Sequence, residues 1–339
     1  MDAIVVSHNT ALDAIRRTRR IYSCLPWEQL SATDQKRLLS TTRPNISAID
    51  TNRLERFALY RNDEGSELDL LVGTQVNRRS NKLCNCHLLS KRLPASSILK
   101  VADGVYCCSP ELTALQYSQN SSLAETVMLL LEFLGTYSLP ASDASEQAQA
   151  CFGCEAVCSL ASLRSMAKWA TSSNAATFRA AVNLVTEGSA SPMESLVYAM
   201  LGLPMRHGGF GCSNLPKGGM LLNHRIDFDA TARQMSSQMP YAICDCYIPS
   251  AKIDLEYNGL YHEQQNARIH DGNRNNGLKA MGITVLVINK EQAQDLQALE
   301  AMAQLIHKAA GKRFRYQQNG YRSRQNNLLW GLRRAIGLN

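Results

Sequence analysis

The sequence predicts an α/β protein, in an α+β arrangement that spans two successive domains. The chain has 339 residues, which is more than a single hydrophobic core usually serves. Its hydrophobic fraction of 45% is ordinary for a globular protein. In the second half, β-rich segments precede a helix and a further apolar segment, and this order indicates a mixed sheet with helices packed on it.

The first predicted domain, residues 1–188, mixes helices with short strands. A basic helix is expected over residues 11–22, and residues 121–137 carry apolar side chains at the three-to-four spacing of a helix. Between these helices lie the β-rich segments LDLLVGTQV, KLCNCHLLS and SILKVADGVYCCSP. Asp103-Gly104 is a turn signal within the last of them.

The second predicted domain, residues 189–310, begins at a boundary of small residues and a proline, SASP. A helix, a glycine-rich loop and three strands are expected next, the strands in GMLLNHRIDF, YAICDCYIP and KIDLEYNG. A polar helix over about residues 270–281 ends at Gly282, a typical C-cap. The apolar β-branched segment ITVLVINK is suited to a central strand, and a last helix is expected over about residues 292–310.

Residues 311–339 are predicted to form a basic C-terminal tail. From Lys308 onward the chain has no Asp or Glu, and aromatic residues are interleaved with its cations. Arginines neutralise phosphates and aromatic rings stack on bases, so this composition suits a nucleic acid, although a solvated basic tail explains it equally well. The candidate nucleic-acid-binding residues are Lys312, Arg313, Arg315, Arg322 and Arg324.

Eleven cysteines raise the question of disulfides and zinc. Their odd number argues against a closed disulfide framework. Only Cys151 and Cys154 have a CxxC spacing, without a second such pair, so buried thiols are favoured over a zinc site. No run of 18 apolar residues predicts a membrane span, and the N-terminus lacks the basic-then-apolar order of a signal peptide. The cytoplasm is therefore the expected location.

Asp245 and Glu256 are the strongest candidates for chemistry. They end two neighbouring predicted strands joined by a turn near Pro249-Ser250, and antiparallel pairing would bring them together. Two carboxylates suit Mg²⁺ or Mn²⁺, which can polarise a phosphoryl group and lower the pKa of a bound water. His262 can then face the same site as a general base or acid. Asp245 alone would fit an ordinary turn carboxylate, whereas Glu256 interrupts an apolar strand, where an unpaired charge is costly.

From Asp245 onward, the order of IDLEYNG, a histidine, an aspartate, an arginine and VLVI resembles the Vsr-like branch of the PD-(D/E)xK nuclease superfamily. That branch includes very-short-patch-repair endonucleases and domains appended to bacterial defence and toxin–antitoxin proteins. The resemblance implies a restriction-endonuclease-like mixed sheet flanked by helices, with Asp245 and Glu256 as metal ligands. It gives further functional positions to His262, Asp271, Arg274 and the helix residue Glu194.

Two features of this pattern leave the activity open. The usual second acid of the family's E-x-D segment is Asn258 here, and a neutral amide binds metal more weakly. Asp271 and Arg274 lie three apart on a helix face, a spacing that an exposed ion pair explains as well as a functional pair does. The resemblance therefore bears more strongly on the fold than on turnover.

The N-terminal half resembles AbiEi-type antitoxin proteins of bacterial abortive-infection systems. The segments that carry this resemblance are VSHNTAL, DLLVGTQV, CHLLSKRLP and VYCCSPELTALQYS, without the winged helix that usually opens those proteins. Ser7 and His8 stand side by side in the first of them. Ser7 is expected to cap the following helix rather than to form a catalytic pair with His8.

Two functions follow as expectations. The first is a Mg²⁺- or Mn²⁺-dependent endonuclease that hydrolyses DNA in bacterial defence, in a toxin–antitoxin context or in repair. The second is a nuclease fold that has lost turnover and binds DNA or the cognate protein of such an operon. Asp245, Glu256 and His262 favour the enzyme, whereas Asn258 and the antitoxin-like half favour the binding protein.

Overall fold

The structure is a computed structural model, and it describes residues 3–46, 49–61, 67–145, 147–258, 265–316 and 319–338; within residues 265–270 it describes the backbone alone. The protein is α/β, with helices and mixed sheets in both halves. It divides into two compact units, Met1–Asn183 and Leu184–Asn339. The boundary that the sequence predicts, between residues 188 and 189, lies a few residues later. In the part of the chain that the structure describes, no helix has the length and apolar character needed to cross a membrane.

Unit 1 is built from seven helices and eight strands among its described residues. The strands are β1 (Ile4–Val6), β2 (Glu28–Gln29), β3 (Leu68–Val72), β4 (Cys84–Leu88), β5 (Ile98–Ala102), β6 (Val105–Cys108), β7 (Tyr137–Ser138) and β8 (Cys151–Phe152). The helices are α1 (His8–Tyr22), α2 (Ala32–Thr41), α3 (Thr51–Arg56), α4 (Pro110–Tyr117), α5 (Leu123–Leu134), α6 (Leu160–Trp169) and α7 (Ala176–Val182).

The main sheet of unit 1 has the strand order β2-β5-β6-β1-β3-β4. Strand β1 is central: it runs parallel to β6 and antiparallel to β3, and β3 runs parallel to β4. Helix α5 is well specified by the sequence, because Ser122 and Glu125 form a reciprocal capping box before an almost wholly apolar run. This arrangement places the beginning of α1 beside the residues of β3 and β4.

The start of α1 differs from the sequence expectation. Ser7 occupies the N-cap position, but its side chain makes no capping hydrogen bond. Its Oγ instead lies 2.9 Å from Nδ1 of His8, whose backbone adopts a left-handed φ of 49°. The prediction that the Ser7 side chain caps this helix is therefore wrong, because its hydroxyl forms a hydrogen bond with the imidazole of His8 instead.

Unit 2 contains the mixed sheet that was expected of the C-terminal half. Its elements are α8 (Pro192–Gly202), β9 (Leu221–Asp227), α9 (Ala230–Met235), β10 (Tyr241–Ile248), β11 (Ile253–Asn258), α10 (Gln265–Ala280), β12 (Thr284–Asn289), α11 (Leu296–Ala309) and α12 (Tyr321–Ala335). The strand order is β12-β11-β10-β9. Strand β10 runs antiparallel to both β9 and β11, and β12 runs parallel to β11.

Helix α10 lies in the connection between β11 and β12. Because these two strands are parallel, they need such a crossover connection rather than a short turn. It packs close to α9, because Gly277 leaves room for the ring of Phe228 where a β-carbon would collide with it. Leu278 and Ile283 join Phe228 and the sheet residue Cys244 in one buried apolar cluster. The crossover is thereby fixed over the sheet, with Arg274 one turn before the close contact.

Two expectations about unit 2 are wrong. The segment ITVLVINK forms β12, which lies at the edge of the sheet rather than at its centre, and Val287 on it is 52% exposed. An apolar β-branched composition reports strand propensity, and it does not say how many neighbours the strand has. The C-terminal segment is not a simple tail either. Residues 321–335 form α12, and Leu328, Leu329 and Leu332 on it are buried within unit 2.

Candidate functional site

Asp245 and Glu256 come together across the β10–β11 hairpin. Cys246 pairs with Leu255 in this hairpin, so one further step of the antiparallel register sets Asp245 opposite Glu256. The backbone N–H of Asp245 donates to Glu256 Oε1 at 3.3 Å. The backbone N–H of Tyr257 donates in turn to Asp245 Oδ2 at 3.0 Å. The hairpin thus fixes both carboxylates through backbone contacts.

A third carboxylate of the predicted set, Glu194, lies near this pair. Ser191 caps the first turn of α8 by accepting from the backbone N–H of Glu194. Glu194 Oε2 accepts from the backbone N–H of Ala190 at 2.9 Å and from Asn223 Nδ2 at 3.1 Å. Burial raises the pKa of Glu194, and the charge of Glu256 adds to that shift. The helix glutamate is therefore a half-buried member of the same acidic cluster.

Asp245 is the most strongly perturbed of the three predicted acids. Burial is the largest cause, and repulsion from Glu256 and Glu194 adds to it, so that its pKa rises to about 7. The Tyr257 N–H and the more distant guanidinium of Arg274 oppose this shift without cancelling it. A carboxylate held in this way lacks sufficient compensating positive charge, which is a property of functional acids and of metal ligands.

Asp254 is a fourth acid, which the sequence analysis missed. It is fully buried on β11, and its Oδ1 has no hydrogen-bond partner. Burial, a hydrogen bond with Glu256 and repulsion from the same residue raise the pKa of Asp254 to about 8. Its signal in the sequence is the IDLE segment, where a second acid two residues before Glu256 interrupts the same apolar strand.

Arg274 reaches from α10 to this pair of acids on β11. Its Nη2 donates to Asp254 Oδ2 at 2.9 Å, makes a short contact with Glu256 Oε1 and donates to the carbonyl of Ile243 at 2.6 Å. We call Arg274, Asp254 and Glu256 the arginine clasp. Asp271, with which Arg274 was expected to share a helix face, is exposed. The functional contact of Arg274 is thus to the sheet.

The remaining predicted residues lie at or beyond the end of β11. Asn258 is the last residue of that strand, where it is exposed and pairs in register with Asn289 of β12. His262 lies outside the described residues. The described part of the site therefore consists of the arginine clasp, Asp245 and Glu194.

The candidate nucleic-acid-binding residues fall into two groups. Lys312, Arg313 and Arg315 are exposed in the segment between α11 and α12. Arg322 is also exposed, but its Nη2 pairs with Glu300 Oε2 at 2.7 Å. Arg324 is half-buried, and its Nη2 donates to the carbonyl of Asn319 at 2.8 Å. The first group is therefore the better placed to meet a phosphate backbone, and the basic surface is narrower than the composition suggested.

The aromatic residues between these cations are largely structural. Phe314 packs against Phe210 and His307, and Tyr321 lies edge-on to Phe210. Two rings are exposed: Tyr316 is 46% exposed, and Trp330 is 62% exposed with the Arg334 guanidinium 4.6 Å above its ring. The rings therefore anchor the segment to unit 2 more than they offer stacking platforms.

The described carboxylates of this site suit a metal ion that needs only one or two protein ligands, and not one that needs three or more. In the part of the chain that the structure describes, no group of three or more His, Cys, Asp and Glu side chains is arranged to hold a metal ion. Mg²⁺ commonly binds through one or two protein carboxylates and retains several waters. Asp245 and Glu256 are the two carboxylates that meet this smaller requirement, and Asp245 has a pKa raised to about 7 by burial and by the charges of Glu256 and Glu194.

Comparisons with known proteins give no relative for this chain. No model of a known family matches it, and searches of curated proteins and of solved structures find no similar protein.

Proposed function

We propose that the protein is a Mg²⁺- or Mn²⁺-dependent nuclease that hydrolyses phosphodiester bonds of DNA. The observation that carries the proposal is the position of Asp245, half-buried beside Glu256 and Glu194, where burial and the two neighbouring charges raise its pKa to about 7. Folding gathers four acids here against one cation, Arg274, which engages Asp254 and Glu256 but not Asp245, and a divalent metal is the natural complement at Asp245. The resemblance of the surrounding residues to Vsr-like nucleases supports the same chemistry.

Asp245 and Glu256 would hold the metal. When bound, it would supply charge stabilisation at the phosphoryl group and an acidified water. Glu194 would stay behind the ligands, since its carboxylate is already held by Ala190 and Asn223. Such an outer carboxylate adds negative potential at the metal position and strengthens binding.

The arginine clasp has a positioning role in this proposal. By contacting one oxygen of Glu256, Arg274 fixes the orientation of that carboxylate. The same guanidinium also pairs with the buried carboxylate of Asp254. Arginine suits this role because its planar fork can contact two carboxylates at once. His262 would move protons near the substrate, while Lys312, Arg313 and Arg315 would contact the phosphate backbone.

The test is cleavage of supercoiled and linear DNA with Mg²⁺ or Mn²⁺. We expect Asp245→Asn and Glu256→Gln each to lower the rate by on the order of 100-fold or more. The matched controls are Asp227→Asn and Glu291→Gln, which make the same charge changes at exposed positions of unit 2 and should retain the wild-type rate. Metal-independent cleavage, or an equal drop in the controls, would contradict the assignment.

A second candidate function is a DNA-binding protein without turnover. Arg274 already occupies Glu256 Oε1, and the family's second acid is Asn258, so the metal position has fewer free oxygens than an active nuclease offers. This candidate predicts DNA binding that is unaffected by chelation of divalent metals. Replacing Lys312, Arg313 and Arg315 by glutamine should then weaken binding. Its salt dependence should fall by up to about 0.9 in log–log slope for each phosphate that is no longer neutralised.

The biological setting is part of the same proposal. A defence, toxin–antitoxin or repair role in the bacterial cytoplasm would place the protein with its DNA substrate and with a cognate protein of the same operon. Co-purification from cells that carry the native operon tests the partner. Recovery of the chain without any stoichiometric companion would count against a toxin–antitoxin complex.

A further inference from the structure

Unit 1 carries a polar constellation that the proposed nuclease does not use. Ser7 Oγ lies 2.9 Å from His8 Nδ1, and the His8 ring stacks on the ring of His87 with centroids 3.7 Å apart. His87 Nε2 lies 2.7 Å from Asp69 Oδ1 on the neighbouring strand. We call these four residues, Ser7, His8, His87 and Asp69, the imidazole stack. Two stacked imidazoles with separate polar partners are not an arrangement that the core needs for packing.

The conformation of His8 supports a role beyond packing. Its φ of 49° is left-handed, a state that costs energy for a residue with a side chain. The fold maintains it through the backbone N–H of His8, which donates to Gln116 Oε1 at 3.0 Å. Burial, followed by the neighbouring His87, lowers the pKa of His8 to about 4, so its ring is neutral at physiological pH. His8 therefore combines an unfavourable backbone conformation with an imidazole whose protonation is disfavoured.

Two members of the imidazole stack, His8 and His87, line a cavity of about 480 Å³ within unit 1. Apolar side chains, among them Leu112 and Leu115, form part of its wall, and Trp169 adds an aromatic surface. Lys91 lies 4.5 Å above the Trp169 ring, and Arg78, which is exposed, also lines the cavity. A cavity of this size and lining is typical of small-molecule sites.

The charge of the lining selects the ligand class. The described residues around the cavity include two cations, two histidines and two glutamines, but no Asp or Glu. Asp69 is held by His87 behind the stack. A phosphate monoester carries close to two negative charges and three acceptor oxygens, which matches several donors better than a single carboxylate does. The leucines and Trp169 would then receive an apolar or aromatic body.

We propose that unit 1 binds a phosphate monoester of mononucleotide size in this cavity, with the phosphate near Lys91, Arg78 and the imidazole stack. The body of the ligand lies against Leu112, Leu115 and Trp169. His87 Nε2 is engaged by Asp69, so the hydrogen-bond donors left on the ligand side are the side chains of Lys91, Arg78 and Gln119. This site is independent of the nuclease proposal.

The experiment uses the full chain and adenosine, cytidine, guanosine and uridine 5′-monophosphates as probes. Binding is followed by calorimetry and by NMR of the histidine ring protons, with His8→Asn and His87→Gln assigning the two resonances. We expect saturable binding of at least one monophosphate with a shift of both resonances. The corresponding nucleoside and inorganic phosphate alone should bind at least about 10-fold more weakly, because each lacks one half of the contacts.

Paired variants separate recognition from general electrostatics. Lys91→Gln and Arg78→Gln should each weaken binding at least about 5-fold, whereas Lys82→Gln and Arg164→Gln make the same changes at exposed positions outside the cavity and should not. Asp245→Asn, which removes the proposed nuclease site, should leave binding unchanged. Absence of saturable binding by all four probes, equal binding of nucleoside and monophosphate, equal weakening in the controls, or weakening in Asp245→Asn would each overturn the proposal.

Discussion

Two buried carboxylates, one in each unit, show how differently the fold treats a charge. Glu132 in unit 1 is fully buried, and both of its oxygens are satisfied by Arg16, by the backbone N–H of Leu139 at 3.0 Å and by Ser138. Asp254 in unit 2 is equally buried, yet one of its oxygens has no partner and its pKa rises to about 8. A buried carboxylate whose two oxygens both have hydrogen-bond donors, such as Glu132, stabilises the fold. A pKa raised by incomplete compensation, which Asp245 shares, is the property on which the proposed metal site rests.

The largest effect on stability should come from removing Glu132, the buried carboxylate whose two oxygens both have hydrogen-bond donors. Glu132→Ala leaves the guanidinium of Arg16 buried without its partner, so we expect the free energy of unfolding of unit 1 to fall by about 3–5 kcal/mol. Urea denaturation followed by tryptophan fluorescence reports this, because Trp27 and Trp169 lie in unit 1. The control is Asp34→Ala, which removes an exposed ion pair with Arg37 and should cost less than about 1 kcal/mol. Equal destabilisation by both variants would erase the contrast.

Removing the cation of the arginine clasp should cost less than breaking the Glu132 pair. In Arg274→Met, Asp254 and Glu256 lose their shared partner, but Asp254, with a pKa of about 8, is already largely protonated near pH 7 and leaves little uncompensated charge. We therefore expect a destabilisation of about 1–3 kcal/mol, measured as faster hydrogen exchange of β10 and β11. A destabilisation as large as that of Glu132→Ala would show that the contacts of Asp254 compensate its burial as fully as those of Glu132 do.

The pH dependence of stability should differ between the two units. Since the folded-state pKa of Asp254 is raised above its unfolded value, its contribution to the stability of unit 2 is present at low pH and is lost as the pH rises toward 8. The reverse holds for His8 in unit 1. Its pKa is lowered to about 4, so its contribution is present above about pH 6.5 and is lost as the pH falls toward 4.

Each of these pH effects should amount to about 1–3 kcal/mol over its window. Asp254→Asn should reduce the slope of the unit 2 profile between about pH 6 and 8, leaving the part that Asp245 contributes, and His8→Asn should flatten the unit 1 profile between about pH 6.5 and 4. Hydrogen exchange resolved by segment separates the two units in one sample. Parallel pH profiles in both units, unaffected by either variant, would contradict the assigned charges.

The smallest effect is expected at the surface of unit 2. Arg322 pairs with Glu300, but its side chain is half exposed, so Arg322→Ala should change stability by less than about 1 kcal/mol. Comparison with Arg274→Met by the same exchange measurement then shows how much burial contributes to an arginine–carboxylate contact. A cost for Arg322→Ala that equals the cost for Arg274→Met would remove burial as the deciding factor.

The sequence predicted the elements of unit 2 better than their surroundings. Strand order along the chain and the juxtaposition of Asp245 with Glu256 follow from local turn and strand signals, which are encoded within a few residues. The edge position of β12 and the packing of α12 depend on contacts between distant segments, and no local pattern contains them. Helix α9 was missed for another reason, since six residues carry too little periodicity to be recognised.

The candidate site shows the same limit. Asp254 was overlooked because a single acid in an apolar strand has many explanations until its neighbours are known. The contact of Arg274 with the sheet was likewise hidden, since helical spacing pairs it only with residues on its own helix, such as Asp271. The imidazole stack joins residues from α1, β3 and β4, so only the folded sheet brings Ser7 and His8 to His87 and Asp69.

The central claim is that folding leaves Asp245 short of positive charge so that a divalent metal can bind there. Calorimetric titration of Mn²⁺ into the full chain, with Asp245→Asn and the exposed control Asp227→Asn in parallel, tests it directly. We expect one saturable site in the wild type and in Asp227→Asn, and at least about 10-fold weaker binding in Asp245→Asn. Equal Mn²⁺ affinity in all three chains, or the lack of a saturable site in the wild type, would contradict it.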